Sequence, residues 1–300
     1  MVYDALLSVS SEILPLLGES TSVVIKPNVV SATIPLAVTH PDTIHGILDY
    51  LEAQRWSGPV FIAESSAEDT ATGFHNHGYD TVASERSNFD ISLVDLNQEA
   101  RYELIHVTDG DVHMQPVRLA ARLLDPDAFI FSAAVMKTHN CVVATLSIKN
   151  MVIGAALRNR PGDLVEWSDK VRYHCGVRQM NYNMFLTAQK LEPFWGAALI
   201  DGFTGMEGNG PTDGAPVDSR VVVASTDFVA ADRVAIEAMS IDPSWVGYLT
   251  YCGAAGVGNY DMANIDVWGT EVDAVKRTYR LHDTVADQIR WMGPAPCSMG

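Results

Sequence analysis

Basic residues are scarce in this chain. Its 300 residues include 20 Lys and Arg against 37 Asp and Glu, a formal net charge of −17. A field of that sign repels polyanions and argues against nucleic acid or an anionic membrane surface as a partner. Cysteine is scarce too. Cys141, Cys175, Cys252 and Cys297 stand far apart with no Cys-x-x-Cys pair, which fits neither a zinc ribbon nor a ferredoxin-type cluster module. Isolated thiols in a chain of this size suit a reducing compartment. No apolar run is long enough to span a bilayer, and Met1 to Leu7 lacks the basic-then-apolar pattern of a secretory leader. The expectation is a soluble, cytoplasmic protein without a membrane partner. Nothing in the chain sets an oligomeric state.

What is present is material for a core, since 47% of residues are hydrophobic. The run Val23-Val24-Ile25 ends at Lys26-Pro27-Asn28 and reads as a buried strand stopped by proline. Thr39 to Asp42 has the spacing of a capping box, and Ile44, Ile47, Leu48 and Leu51 follow at helical spacing. Val60 to Glu64, Ile91 to Leu96 and Asp127 to Ser132 read as further strands, the last leading into Met136-Lys137-Thr138-His139. Val117 to Leu124 reads as a short helix. The stretch from Arg158 to Glu192 reads as mainly helical after the Arg160-Pro161-Gly162 turn, an insertion or lid. Ala197 to Ile200 and Arg220 to Ala224 read as strands around a glycine-rich loop from Asp201 to Gly214, and Asp227 is a natural N-cap for the helix beyond. The tail from Gly293 reads as loose.

The alternation of strand and helix predicts an α/β fold, a largely parallel sheet flanked by helices, with a C-terminal lobe closing over the strand ends. The expected organisation is one two-lobed unit, with an N-terminal lobe over about 1–155, a helical insertion or lid over 156–192 and a C-terminal lobe over 193–300. Ligands of such sheets gather beyond the carboxyl ends of the strands. Lys26, Glu64 and Lys137 all fall at predicted ends of that kind.

Several ordered segments carry a family resemblance. They are Ile25-Lys26-Pro27-Asn28, Thr39-His40-Pro41, Lys137-Thr138-His139, Ala144 to Met151, Met206-Glu207-Gly208-x-Gly210-Pro211, and Ala224 to Asp227 with Ala231-Asp232. Together they resemble domain of unknown function 362, over about Val23 to Gly258. The resemblance implies no reaction. Some relatives carry an attached iron–sulfur module, and the scattered cysteines here do not reproduce it.

Of the six lysines, Lys26, Lys137 and Lys149 lie inside family-like segments, and Lys170, Lys190 and Lys276 lie outside. An ammonium after a buried strand needs a carboxylate or a bound anion. The candidates for the carboxylate are Glu64, Glu207 and Asp232. His139 shares a side of an extended segment with Lys137 and would place a titratable imidazole beside a cation. The expected catalytic residues are Lys137, His139 and Glu207. The expected ligand-binding residues are Lys26, Asn28, His40, Glu64, Lys149, Asn150 and Asp201, with His40 equally readable as a helix-start residue. Periodicity leaves Lys149-Asn150 open between strand and buried helix. His75 and His77 read as a solvated loop pair or, alternatively, as metal ligands, and Cys141 as a small buried thiol or a nucleophile.

The Gly208-x-Gly210-Pro211 stretch opens no helix and is no nucleotide fingerprint. A divalent metal is compatible with Asp201 and Glu207; the cofactor is otherwise unassigned. The functional expectation is an enzyme that acts on a small anionic metabolite at an inter-lobe cleft by Lys, His and carboxylate acid–base chemistry, with possible metal assistance. The alternatives are an iron–sulfur or other metal-dependent redox protein, and a non-catalytic anion-binding protein.

Overall fold

The structure, a computed structural model, describes residues 1–293. The loose tail read from the sequence therefore lies, from Pro294 on and with Cys297, outside the described residues. The chain opens with helices α1 (Val2–Ser8) and α2 (Ser10–Glu19), then builds β1 (Ser22–Pro27), α3 (Pro41–Ala53) and β2 (Val60–Glu64). The short helices α4 (Thr70–Asn76) and α5 (Tyr79–Glu85) lead to β3 (Ile91–Asp95), and β4 (Tyr102–Thr108) with β5 (Met114–Ala120) forms a separate hairpin. The long strand β6 (Ala128–Thr138) and the two-residue β7 (Ala144–Thr145) precede α6 (Ser147–Ala155) and α7 (Val177–Leu191). The chain then makes β8 (Ala197–Asn209), β9 (Asp213–Ser225), α8 (Phe228–Ala238) and α9 (Gly247–Ala254).

The main sheet runs β3-β2-β1-β6-β8-β9, with β7 paired to β6. The pairings β3-β2, β2-β1, β1-β6 and β6-β8 are parallel, whereas β7 runs antiparallel to β6 and β9 closes one edge antiparallel to β8. The fold is thus α/β with a mostly parallel sheet flanked by helices. Because both faces are covered, the central strands read as unbroken apolar runs. Alternate residues of β6 serve the two faces: Phe129, Phe131 and Ala133 pack with α3, whereas Ile130, Ala134 and Met136 pack with α6 and α8. Each fully buried side chain of the Val, Ile or Phe type contributes about 1.5–3 kcal/mol. Among the described residues no helix is long and apolar enough to cross a membrane.

Three local expectations are corrected. The predicted helix from Val117 to Leu124 is strand over its first half, to Ala120, and a 3-10 turn over Ala121–Leu124. Val117 and Leu119 are buried while Pro116 and Arg118 are not, which is period two rather than 3.6. The glycine-rich loop is the β8–β9 hairpin, whose turn occupies only 210–212. Its glycines serve close approach: a Cβ on Gly205 would lie 2.1 Å from the Tyr279 hydroxyl.

Thr39 does not cap α3. That position belongs to His40, whose side chain accepts from the Asp42 amide, with Pro41 at the first helical position. Thr39 is buried; its hydroxyl donates to Ala133 O at 2.6 Å and accepts from the Asn28 amide. Beyond the Arg160-Pro161-Gly162 turn the stretch to Glu192 is mainly helical, as expected, through Asp169–Tyr173 and α7, while Arg158 bridges Ser168 in extended form. α7 buries Met180, Met184 and Leu191 in the main core.

Candidate functional site

Parallel neighbours end at a common level, so the residues that close β2, β1 and β6 meet at one rim. At its centre Lys26 is fully buried and fully occupied. Its Nζ donates to both Glu64 oxygens, to Asn150 Oδ1 and to Pro27 O, each at 3.0 Å. Glu64 also accepts from the Val29 and Ser65 amides. Asn150 returns its amide to Lys26 O and Ser132 Oγ at 3.1 Å. Burial lowers the Lys26 pKa, and Glu64 pulls it back up.

The remaining cations of the rim are less well served. Lys137 Nζ donates to Ala37 O at 2.7 Å and to nothing else among the described residues. Burial, then the nearby Lys149 charge, holds its pKa well below the ordinary value, against a pull from Glu64. Lys149, 5% exposed, makes no hydrogen bond or ion pair among the described residues. Burial brings its pKa down to about 8. Its charge acts on Lys137, His139, Cys141 and His174. Two sealed atoms close by in the chain, Asn28 Oδ1 and Thr145 Oγ1, also have no partner among the described residues. Thr145 lies directly across the β6–β7 ladder from Lys137, where facing side chains are within reach of each other.

The rest of the cluster hangs on α6. Its first turn receives the buried Asp232 carboxylate, which accepts from the Ser147 amide and hydroxyl and from the Ile148 amide. A carboxylate suits that positive helix end. Burial nevertheless pushes the Asp232 pKa up to about 7. At the other end Lys170 donates to Ile153 O and Ala156 O at 2.6 and 2.7 Å; burial lowers its pKa to about 7. Between the caps, Gly154 leaves room for Lys26, because a Cβ there would lie 2.1 Å from Nζ. Gly154 and Asn150 are four residues apart and share the helix face that meets Lys26.

His139 is buried, and its Nδ1 accepts from the Cys141 amide at 3.0 Å. The neutral ring therefore carries its proton on Nε2 as a free donor. Burial first, then the charge of Lys149, holds its pKa well below 6.5, so the ring is a neutral hydrogen-bond donor. His174 is exposed on the solvent side, and its Nδ1 donates to Lys170 O. Burial raises the Cys141 thiol pKa, which leaves it in the thiol form.

Other expected site residues stand elsewhere. Glu207 accepts from the Arg280 amide at 2.9 Å. Asp201 accepts from Thr43 Oγ1 and the Phe203 amide. His40 is exposed at the start of α3. His75 pairs with Asp80, and His77 meets Ser31 O. Among the described residues no three of His, Cys, Asp and Glu stand together as a metal-ligand group. Two surface clefts of about 370 and 350 Å³, one lined by Glu99, Arg122 and Asp125 and the other by Leu14, Leu17 and Trp56, share no residue with the rim. The rim is marked by unpaired charge.

Lys170, His174, Thr145 and Gly154 were not picked out from the sequence as site residues. Only the scarcity of lysine pointed to Lys170, and the four-residue step from Asn150 pointed to Gly154.

Fold and rim define an α/β protein with a mostly parallel sheet and a buried cationic cluster at the carboxyl ends of its strands. The chain belongs to the family described as domain of unknown function (DUF362), whose model matches residues 23–237. It is similar to a thylakoid-associated protein of Synechocystis sp., 27% identical over 229 residues. That match covers 75% of this chain and 64% of the relative, so the chain spans less than two thirds of that protein's length. The solved structure of a protein from Thermotoga maritima overlays 75% of this chain and 54% of its own, at a TM-score of 0.44 and 10% identity.

Proposed function

We propose that this protein is an enzyme that holds a small anionic metabolite at the rim beside Lys137 and Lys149 and acts on it by proton chemistry. One observation carries the reading: four of the six lysines are buried around a single paired carboxylate, and Lys149 has no partner at all among the described residues. A desolvated ammonium without a counter-charge is costly, and a bound anion removes that cost. Lys137 and Lys149 supply the charge, Thr145 and Asn28 supply unused polar atoms, and His139 Nε2–H supplies a donor for an oxygen that gains negative charge.

The cluster draws Lys137 and Lys149 from 1–155 and Lys170 and His174 from 156–192, and His282, from the rest, acts on His139 through its charge. This favours one functional unit with the two lobes meeting at the rim. A cytoplasmic location is part of the same reading, on the isolated cysteines and the acidic surface. The thylakoid association named for the Synechocystis relative makes attachment to a membrane surface the alternative, and cell fractionation separates the two.

The test is thermal unfolding with phosphate, oxalate, malonate and citrate, against chloride at equal ionic strength. A binding anion at a hundred times its Kd stabilises the fold by about 2.7 kcal/mol, and Lys149→Met abolishes that response. No shift with any of the four anions refutes the reading. A second reading, a non-catalytic anion receptor, is favoured by Glu64, because the carboxylate at the rim is fully engaged by Lys26 and two amides. Turnover of a bound ligand separates receptor from enzyme.

A further inference from the structure

We propose that Lys149 is a Schiff-base lysine and that the anionic ligand of the rim is a small oxo acid, its carboxylate against Lys137 and its carbonyl carbon against Lys149 Nζ. This deepens the functional reading above and rests on it. The geometry is that of a nucleophile rather than of a counter-ion. Lys26 is locked by four acceptors and Lys170 by two helix-end carbonyls, so neither amine is free to react. Lys137 is tied to Ala37 O. Lys149 alone of the four has its nitrogen uncommitted among the described residues, in the first turn of a helix whose axis is fixed by Asp232 at one end and Lys170 at the other. A rigidly mounted amine without hydrogen-bond partners, among other cations, is what imine chemistry requires. With its pKa brought down to about 8, about a tenth of the amine is neutral and nucleophilic at pH 7.

The step balances without an added co-reactant. The neutral Lys149 amine adds to the carbonyl carbon, a C–N bond forms, and the C=O π pair moves to oxygen, where His139 Nε2–H donates a hydrogen bond to the developing charge. The oxygen then takes one proton from the former amine nitrogen and one from solvent, and leaves as water, so that an iminium remains. A neutral imidazole held as a donor suits that role, since it stabilises the oxyanion without having to ionise. The carboxylate of the oxo acid occupies the charge of Lys137 and meets the orphaned Thr145 hydroxyl. The iminium keeps the positive charge that the rim already holds, and the ligand carboxylate supplies the counter-charge that the cluster lacks.

The experiment is reductive trapping of the full-length protein with glyoxylate or pyruvate and sodium cyanoborohydride, read by intact mass and peptide mapping. The expected result is a single adduct on Lys149, formed at least tenfold faster than on Lys190 or Lys276, with a trapping rate that rises with pH up to about 8. Lys149→Arg keeps the charge and removes the imine-forming amine, so it retains the fold and loses the adduct. Adducts spread evenly over all lysines, or an undiminished adduct in the Lys149→Arg protein, overturn the proposal. Oxalate, which has carboxylates but no ketone or aldehyde, separates the two readings. If it stabilises the protein while no trapping occurs, the anion site stands and the imine falls; if neither oxalate nor an oxo acid has any effect, both fall.

Discussion

Lys26 and Lys149 are both buried ammoniums at one rim, and they differ in every partner. Lys26 spends its charge on Glu64 and on two further oxygens, and Glu64 is itself held by two amides. Lys149 spends its charge on nothing among the described residues, and its field instead raises the cost of charge on Lys137 and His139. Both positions pass the same sequence test, a lysine beside an apolar run in a family-like segment. The structure divides them into a closed ion pair that holds three elements together and a charge left without a partner among the described residues. Burial alone therefore says little about function, and the count of satisfied acceptors says more.

The sharpest way to break this contrast is Glu64→Ala. It leaves Lys26 charged and buried and strips the Val29 and Ser65 amides of their acceptor, so a loss of about 3–5 kcal/mol is expected, measured by urea unfolding at pH 7. A loss below about 1 kcal/mol would mean the pair is not the structural one described. Gly154→Ala probes the same centre from the helix side. The change gains about 1 kcal/mol of helix propensity, but the new Cβ meets a lysine end pinned by four acceptors, so a net loss of about 1–3 kcal/mol is expected. Equal or greater stability would show that Lys26 has freedom that its contacts deny.

Lys149→Met sharpens the other side of the comparison, with the opposite sign. Its pKa is about 8 in the fold and 10.5 ordinarily, so folding disfavours its charged form. The penalty is fully present below about pH 8 and fades as pH rises towards 10.5. Removing the charge while keeping the apolar stem should raise stability at pH 7 by about 1 kcal/mol. The difference between wild type and variant should then shrink between pH 8 and 10.5. Paired unfolding curves across that window cancel the titration of groups outside the cluster. A variant that is less stable than wild type at pH 7 would mean that Lys149 has a partner the contrast overlooks.

Much of this arrangement is legible in the sequence, for a physical reason. Apolar runs that stop at Lys26, Glu64 and Lys137 mark strand ends, and parallel order brings such ends to one level. What the chain does not disclose is which charge is satisfied. That depends on α6, and Ser147 to Val152 are all buried, so no periodic face distinguishes helix from strand or shows where Lys149 points. Lys170 and His174 enter the cluster only through the C-terminal end of that helix. Glu207 looked equivalent to Glu64, yet the hairpin carries it to Arg280, a contact set by β8–β9 pairing across sequence-distant segments. Val117 to Leu124 misled because its apolar residues suit either period, and burial chose two.

His40 gives the smallest expected effect and tests whether membership in a family-like segment is enough to place a residue at the site. It lies directly after Thr39, which is buried against Ala133 O, yet its own side chain is exposed and accepts only from the Asp42 amide, at 3.2 Å. Its role in the structure is to cap α3 with a ring nitrogen, a weaker version of what a Ser or Asp oxygen does. His40→Ala should therefore cost about 0.5–1 kcal/mol, and His40→Ser should recover it, because the hydroxyl restores an acceptor at the N-cap. Neither change should alter the stabilisation by oxalate or malonate that Lys149→Met removes. If the oxalate response falls in His40→Ala and is not restored by serine, the imidazole itself contacts the ligand. The site would then extend from the buried rim out to the start of α3, and the division between closed and open charge would have to be redrawn to include an exposed histidine.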